Sequence, residues 1–507
     1  MINLKFNNEH FKSAFQSASQ SNVSLIFSLP GSGTAAFINA LNLFSYQENK
    51  ENIFVVDIFN TQQGTTLEIS NTSYNNHNCI SFHKDTRYTL NPLDLTFGFD
   101  KPNNEDDIFL SSFLSSIFYY NSESYSSLFE KDFHTESLIK EMISLLYKNK
   151  KYYTRGENRQ VDFYLDKAGI KNTTLSWFTI RNIFVSQGAM ELAVMAHYQA
   201  MPVLHDISVL LYSEKIQRSF MKLVDIDRIN TSLEYYQKNF PFFFKNTNIP
   251  GFFDTTFGHI SMDKHISSNQ FICSAQIVMA HYFYKKLSWK SIAKENKSFI
   301  KAPEIIGLLG EVNLLENSTT ILINEFQRMQ GISFCDSWYN HIISQIVKNK
   351  NIKVVFCTLS LNDMPVNILQ YTEKFYLLDY SKRVEREFNT QGIYFDKNII
   401  CDFFENKGKF IKEKNSDNHY DHTMNFMIIE RNLSESYNYN QGSVTFNSLD
   451  YWSIALSKED AHIVKKLNVL FHQHKIKEIL SQDYPDGKIK KQTTPMKIGH
   501  SIINRYL

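Results

Sequence analysis

Charge of either sign is in short supply here: Lys and Arg number 53 and Asp and Glu 52, which leaves +1 over 507 residues. A dedicated nucleic-acid or membrane-surface binder carries a basic excess, so the composition makes no case for either class. Cysteine is also scarce. The five present (Cys79, Cys273, Cys335, Cys357, Cys401) are odd in number and far apart, with no CxxC pair. That excludes a disulfide framework and a cysteine-based zinc site, and it fits a reducing compartment. Long apolar runs are missing too. The most apolar stretch, Phe109 to Tyr120, is too short and too rich in serine to span a bilayer. The opening Met1-Ile2-Asn3-Leu4-Lys5-Phe6 lacks the charged-then-apolar profile of a signal peptide, so membrane association is expected only through partners.

What the chain does have is the balance of a globular protein, 43% hydrophobic and 21% charged, with length for two or three domains. The wealth of Phe, Tyr, Asn, Lys and Ile reads as a coding bias rather than an aromatic platform. Val23 to Phe27 reads as a buried strand, Leu29-Pro30-Gly31-Ser32-Gly33 as a glycine turn, and Thr34 to Phe44 as a helix with Phe37, Ala40, Leu41 and Phe44 at helical spacing. A second strand follows at Ile53 to Ile58, so the chain opens as a βαβ unit of a parallel sheet. From about 104 to 299 the patterns are helical, with one stripe at Leu138, Met142, Leu145 and Leu146 and another helix at Ala189 to Ala200. Strands return at Thr320–Ile323, Lys353–Cys357 and Lys374–Leu378. Lys412 to Asn447 reads as a polar excursion loop with one possible strand at Met424–Ile429, and Tyr451–Leu456 as a last strand before a capping pattern at Ser457 and Asp460.

The chemistry to look for is phosphate binding. A P-loop, G-x-x-x-x-G-K-[ST], cradles phosphates on N–H groups at a helix start; its lysine neutralises the β and γ oxygens and its hydroxyl holds Mg²⁺. The matching residues are Ser28-Leu29-Pro30-Gly31-Ser32-Gly33-Thr34-Ala35, so Thr34 stands where the lysine belongs and Ala35 offers no oxygen. The turn is present and its charge is not. Further on, Ile321-Leu322-Ile323-Asn324-Glu325 has the form of a Walker B strand with Asn324 in place of the metal-side Asp. Glu325 stands where a water-activating carboxylate would be, though an acid at a strand end beside a helix start is also stabilising for dipole reasons alone. His419-Tyr420-Asp421-His422 and His472-Gln473-His474 read as a solvated loop and a helix face, not as metal ligands.

Taken in order, these segments resemble the ATPase domain of the IcmB/DotO proteins of Dot/Icm-type (type IVB) secretion systems, within the wider group of conjugation and type IV secretion ATPases that includes TraC. The resemblance rests on Leu29 to Gly33, Val55-Val56-Asp57-Ile58, Asn91-Pro92-Leu93-Asp94, Phe113-Leu114, Ala200 to Ile207, Asn324-Glu325-Phe326, Ser360 to Asp363, Tyr451 to Ser457 and Leu480 to Gly487. The departures are Thr34, Ala35 and Asn324, together with Thr358-Leu359-Ser360 where the family has Ser-Gln-Ser. Val347-Lys348-Asn349 also stands where the family has Gly-Arg-Lys. The family's large N-terminal domain is expected to be missing.

The resemblance implies an α/β, RecA-like P-loop fold with a parallel-dominated central sheet. Residues 1–100 form its first part, 101–300 an all-helical insertion, and 301–507 its second part. It implies a cytoplasmic component at the inner face of a secretion or conjugation complex, oligomeric and packed against protein subunits that include intact relatives. Phosphoryl transfer runs on positioned charge. Losing the lysine, the hydroxyl and the acid together therefore predicts a pseudo-ATPase, with ATP and Mg²⁺ held weakly at Pro30 to Ala35 and Asn324 if at all, no resident metal, and Glu325 insufficient alone as a catalyst. The alternatives are a working motor with a displaced lysine, for which Lys84 and Lys50 are near in sequence, and a degraded paralogue.

Overall fold

The computed structural model describes residues 5–6, 22–28, 34–47, 51–58, 77–83, 86–119, 133–262, 269–311, 318–326, 333–348, 351–362, 364–407, 410–414, 420–432, 436–447 and 473–483. Its strands are β1 (Lys5–Phe6), β2 (Val23–Phe27), β3 (Asn52–Asp57), β4 (His77–Phe82), β5 (Tyr152–Thr154), β6 (Thr174–Ser176), β7 (Phe257–Met262), β8 (Thr319–Ile323), β9 (Ile352–Thr358), β10 (Lys374–Leu377), β11 (Phe410–Lys414), β12 (Tyr420–Arg431) and β13 (Tyr437–Asn447). All but β5 and β6 join one sheet in the order β1-β13-β12-β10-β2-β9-β8-β3-β7-β4, with β11 also on β12. The run from β10 to β4 is parallel throughout, and β1, β11, β12 and β13 are antiparallel additions at one side. This is the expected α/β class with a parallel-dominated central sheet.

Burial explains why the parallel strands read as unbroken apolar runs. Both faces of the sheet are covered, so both sides of these strands are mainly apolar. Ile26, Val55, Leu322 and Val355 face α1 (Thr34–Gln47), whose Phe37 ring lies 4.9 Å from Phe426. Gly442 of β13 lies under that Phe426 ring, where a Cβ would collide with it. Leu25, Phe54, Ile323 and Phe356 face the other way, into a larger core.

That larger core is built by helices from the middle of the chain: α2 (Asn104–Phe118), α3 (Phe133–Leu146), α4 (Arg159–Lys167), α5 (Trp177–Ser186), α6 (Met190–Ala200), α7 (Leu204–Leu211), α8 (Glu214–Phe220), α9 (Ile226–Asn239), α10 (Asn269–Glu295) and α11 (Pro303–Glu311). α12 (Ser333–Lys348), α13 (Val366–Tyr371), α14 (Lys382–Thr390), α15 (Lys397–Lys407) and α16 (Gln473–Asp483) follow in the last third. Two expectations need correcting. Residues 101–300 are not all helical: β7 is a strand inside the main sheet, between β3 and β4, and β5 pairs with β6 in a small hairpin. The expected excursion loop from Lys412 to Asn447 is mostly a meander of β11, β12 and β13. His422 is accordingly buried within β12 rather than in a solvated loop. The strand expected at Tyr451–Leu456 lies outside the described residues.

The Asn91-Pro92-Leu93-Asp94 signature serves as a brace. Asn91 Nδ2 donates to Asp94 Oδ1 (3.1 Å) and to the Pro202 carbonyl (2.7 Å), and Thr247 Oγ1 donates to Asp94 Oδ2 (2.5 Å). The chain beyond it is held by its carbonyls. Lys285 Nζ donates to that of Asp94, His197 Nε2 to Leu95, Trp289 Nε1 to Phe97 and Arg181 to Phe99. Each bond satisfies a buried backbone acceptor that has no strand or helix partner.

Two neighbouring lysines of α10 are thus nearly sealed from water. Lys286 Nζ donates to the Gly251 carbonyl at 2.8 Å, and burial pulls its pKa down to about 7 despite the nearby Glu191 and Asp254 carboxylates. Its folded-state value lies below the unfolded one, so between them the unfolded chain binds the extra proton and stability rises with pH. From pH 7 to pH 9 denaturant unfolding should therefore show a gain of about 2 kcal/mol from this residue. Lys286→Met should remove most of that gain; an unchanged slope in the variant would assign the pH dependence elsewhere.

Candidate functional site

The strand order fixes where a ligand site belongs. From β2 the chain passes through α1 to β3 on one side, whereas from β9 it passes through α13 to β10 on the other side of β2. The two connections lie on opposite faces, since α1 packs in one core and Ile368 and Leu369 of α13 in the other. Oppositely directed crossovers leave a crevice at the carboxyl ends of the strands between them, here β2 and β9.

Both sequence segments meet at this edge. Phe27 pairs with Thr358, and Ile323 with Phe356, so Asn324 follows β8 at the same edge where β2 and β9 end. Only β9 separates the strand leading to the glycine turn from the strand carrying Asn324 and Glu325, a distance of roughly 10 Å at the usual strand spacing. Pro30, Gly31, Ser32 and Gly33 lie outside the described residues, as do Lys50 and Lys84. Their flanks are described: Ser28 follows β2, Thr34 and Ala35 open α1, and Thr34 Oγ1 donates to Ser28 Oγ at 2.6 Å. The Thr34 hydroxyl is thus engaged by the residue that follows β2.

At the end of β8 stands an amide rather than an acid. Asn324 is 6% exposed, and its Nδ2 points to Asp57 Oδ1 at 3.4 Å. Asp57, at the end of β3, is fully buried, and its other oxygen lies 3.5 Å from His259 Nε2 of β7. The Asn324 backbone is fixed from both sides: its N–H donates to the Val56 carbonyl, and its own carbonyl accepts from Gln276 Nε2 of α10 at 2.7 Å. Beside this group, burial and the Asp57 charge push the Cys357 thiol well above its usual pKa. Sequence reasoning noted Asp57 only within an apolar strand and missed His259 and Gln276. The available signal was the asparagine itself, since a buried amide donor requires an acceptor.

Glu325 is half-buried and sits at φ 55, the one non-glycine residue in the left-handed region among those described. An L side chain there costs roughly 1–2 kcal/mol, which glycine would not incur. Glu325→Gly should raise unfolding stability by about 1 kcal/mol, after glycine's greater unfolded-state freedom is subtracted. A loss in a denaturant titration would mean that contacts of the carboxylate outweigh the strain.

The neighbouring loop is equally fixed. Thr358 Oγ1 donates to the Ser360 carbonyl and accepts from the Ser360 N–H, so this hydroxyl closes a local turn. Leu361 N–H donates to Glu387 Oε2 of α14, whose other oxygen accepts from Arg383 Nε at 2.8 Å. Val347 and Lys348 end α12 at the opposite edge, where Asn22 Nδ2 donates to the Val347 carbonyl. Among the described residues no three His, Cys, Asp or Glu side chains converge as a metal site, and no helix is long and apolar enough to cross a membrane.

No family model matches the sequence, and no curated protein matches it. Among solved structures the chain is similar to VirB4 of Thermoanaerobacter pseudethanolicus. The likeness has 12% identity and a TM-score of 0.44, over 77% of this chain and 85% of that one.

Proposed function

We propose that the chain is a type IV secretion ATPase-family protein of IcmB/DotO-like kind that acts as a pseudo-ATPase, a structural subunit rather than a motor. Two things support the family: the ordered sequence segments, and a strand order that brings the glycine-turn strand and the Asn324 strand to one edge. The observation that carries the pseudo-ATPase reading is the bond from Asn324 to Asp57. Where a Walker-type acid presents free oxygens to hydrated Mg²⁺, this chain presents an amide already donating to the Asp57 carboxylate. Asp57 is a second acid at this edge, beside Glu325, but its two oxygens face Asn324 and His259 and it is wholly buried.

On this reading the partners are protein subunits of a secretion or conjugation apparatus, intact relatives among them, and association with the cytoplasmic face of the inner membrane comes through those partners. The test is to measure ATP turnover with and without Mg²⁺, and nucleotide binding, on the purified chain. No Mg²⁺-dependent turnover is expected, and binding no tighter than an anion gains at a helix N-terminus. Mg²⁺-dependent hydrolysis within tenfold of an intact type IV secretion ATPase assayed alongside would overturn the reading.

A further inference from the structure

We propose that the outer face of the β5–β6 hairpin binds single-stranded nucleic acid, with a base stacked on Tyr152 and phosphates held by Lys148, Lys150 and Lys171. The near-zero net charge of the chain hides an uneven distribution. Residues 148–171 carry seven Lys and Arg against three Asp and Glu.

The acids of this stretch are mostly engaged and its bases mostly are not. Asp166 pairs with Arg155 at 2.7 Å, and Asp162 accepts from the Tyr153 hydroxyl and the Gly156 N–H. Only Glu157 is left of the three. Lys151 reaches Asp206 at 3.6 Å, and Lys167 lies over the Tyr164 ring. Lys148, Lys150, Arg159 and Lys171 are exposed and make no ion pair among the described residues.

Strand pairing sets where these charges stand. Tyr152 pairs with Ser176 and Thr154 with Thr174. The ladder runs on at both ends, from the Trp177 N–H to the Lys151 carbonyl and from the Arg155 N–H to the Thr173 carbonyl. Lys150 and Lys151 therefore enter the hairpin at one end. Lys171 stands at the other, because the Arg155 side chain donates to the carbonyls on either side of it, Ile170 and Asn172. From Lys151 to Arg155 the strand spans about 13 Å. Alternation turns Tyr153 inward against Trp177 and leaves Tyr152 and Thr154 outward between the two ends. Tyr152 is 60% exposed.

A phenol ring held in water between cations suits one kind of polyanion. Every nucleic-acid base has a π-face to lay on such a ring while the backbone follows the lysines. An acidic peptide would satisfy the lysines and leave the ring unused. The other outward residues, Thr154 and Thr174, are polar, whereas a lipid surface is met by an apolar face. None of these residues belongs to the edge that carries Asn324, so this binding and ATP turnover are measured separately.

Fluorescence anisotropy of a labelled single-stranded oligothymidylate, titrated with the full chain, tests the surface. Saturable binding is expected, and its affinity should fall roughly twentyfold between about 50 and 200 mM salt, the dependence of three neutralised phosphates. Replacing all three lysines together (Lys148→Gln, Lys150→Gln, Lys171→Gln) should flatten that dependence. Tyr152→Ala should weaken binding about fivefold or more, and Tyr152→Phe, which keeps the ring, should not. All four positions are exposed, so the variants leave the core untouched. Absence of binding at the lower salt, or binding that neither the lysine variant nor Tyr152→Ala alters, would overturn the proposal. So would polyglutamate or phosphatidylglycerol vesicles bound as tightly as the oligonucleotide and equally well by Tyr152→Ala, which would assign an acidic protein segment or a membrane surface instead.

Discussion

Asn324→Asp should lose about 2–4 kcal/mol of unfolding stability at neutral pH in the presence of a chelator, and added Mg²⁺ should return much of it. The native amide donates to Asp57 across 3.4 Å in a setting where Asp57 is fully buried. The variant replaces that donor with an acceptor, so two carboxylates face each other out of water. Two routes relieve them: one proton shared by the pair, or a cation between them. The proton route fixes the sign of the pH dependence. A carboxyl whose folded pKa is raised above its unfolded value binds its proton more tightly when folded, so stability falls as pH rises between the two values. The deficit against the native chain should thus be full above the raised value and disappear below about pH 4. Chemical denaturation at pH 5 and pH 8, with and without Mg²⁺, separates the routes. A variant as stable as the native chain at pH 8 in chelator would show that the Asn324–Asp57 bond does not close this site.

The parts of the fold that were legible in the sequence are those where burial is two-sided. Val23–Phe27, Thr320–Ile323 and Lys353–Cys357 announce themselves because both faces of the parallel sheet are covered, by α1 and by α10 and α12. β4 and β7 stayed hidden. His77-Asn78-Cys79-Ile80-Ser81-Phe82 lies at the sheet edge, and Phe257-Gly258-His259-Ile260-Ser261-Met262 buries polar groups that turn toward Asp57 and α1 rather than toward water. β13 was missed for a different reason: Tyr437-Asn438-Tyr439-Asn440-Gln441 alternates, but its polar content read as loop when no partner strand was known. The site divides the same way. The turn and the Asn324-Glu325 strand end are local patterns, whereas Gln276 and His259 reach Asn324 and Asp57 only through the parallel crossovers. The left-handed backbone of Glu325 likewise has no signature, because glycine or asparagine is the residue that usually advertises φ above zero.

The largest change in activity should come from restoring three side chains together, Thr34→Lys, Ala35→Ser and Asn324→Asp. The reasons are geometric. Thr34 and Ala35 open α1, at the end of the sheet where Asn324 and Glu325 leave β8, and only β9 lies between the two strands. A lysine at 34 would bring charge to the γ-phosphate, a serine at 35 a hydroxyl to Mg²⁺, and an aspartate at 324 the acid that holds the metal's waters. Groups that serve one transition state act as a unit, so each single variant should remain at background while the triple variant rises by 10² or more in Mg²⁺-dependent turnover, roughly 3 kcal/mol of barrier. Thr34→Lys alone also frees the Ser28 hydroxyl that Thr34 now engages, and should cost stability without a gain in rate. Single-turnover assays with excess protein, run with and without Mg²⁺ and beside a Glu325→Gln version of the triple variant, show whether the regained rate uses that carboxylate. A folded triple variant that binds nucleotide and still shows no turnover would place the defect in the glycine turn or in a missing neighbouring subunit, rather than in the three lost groups.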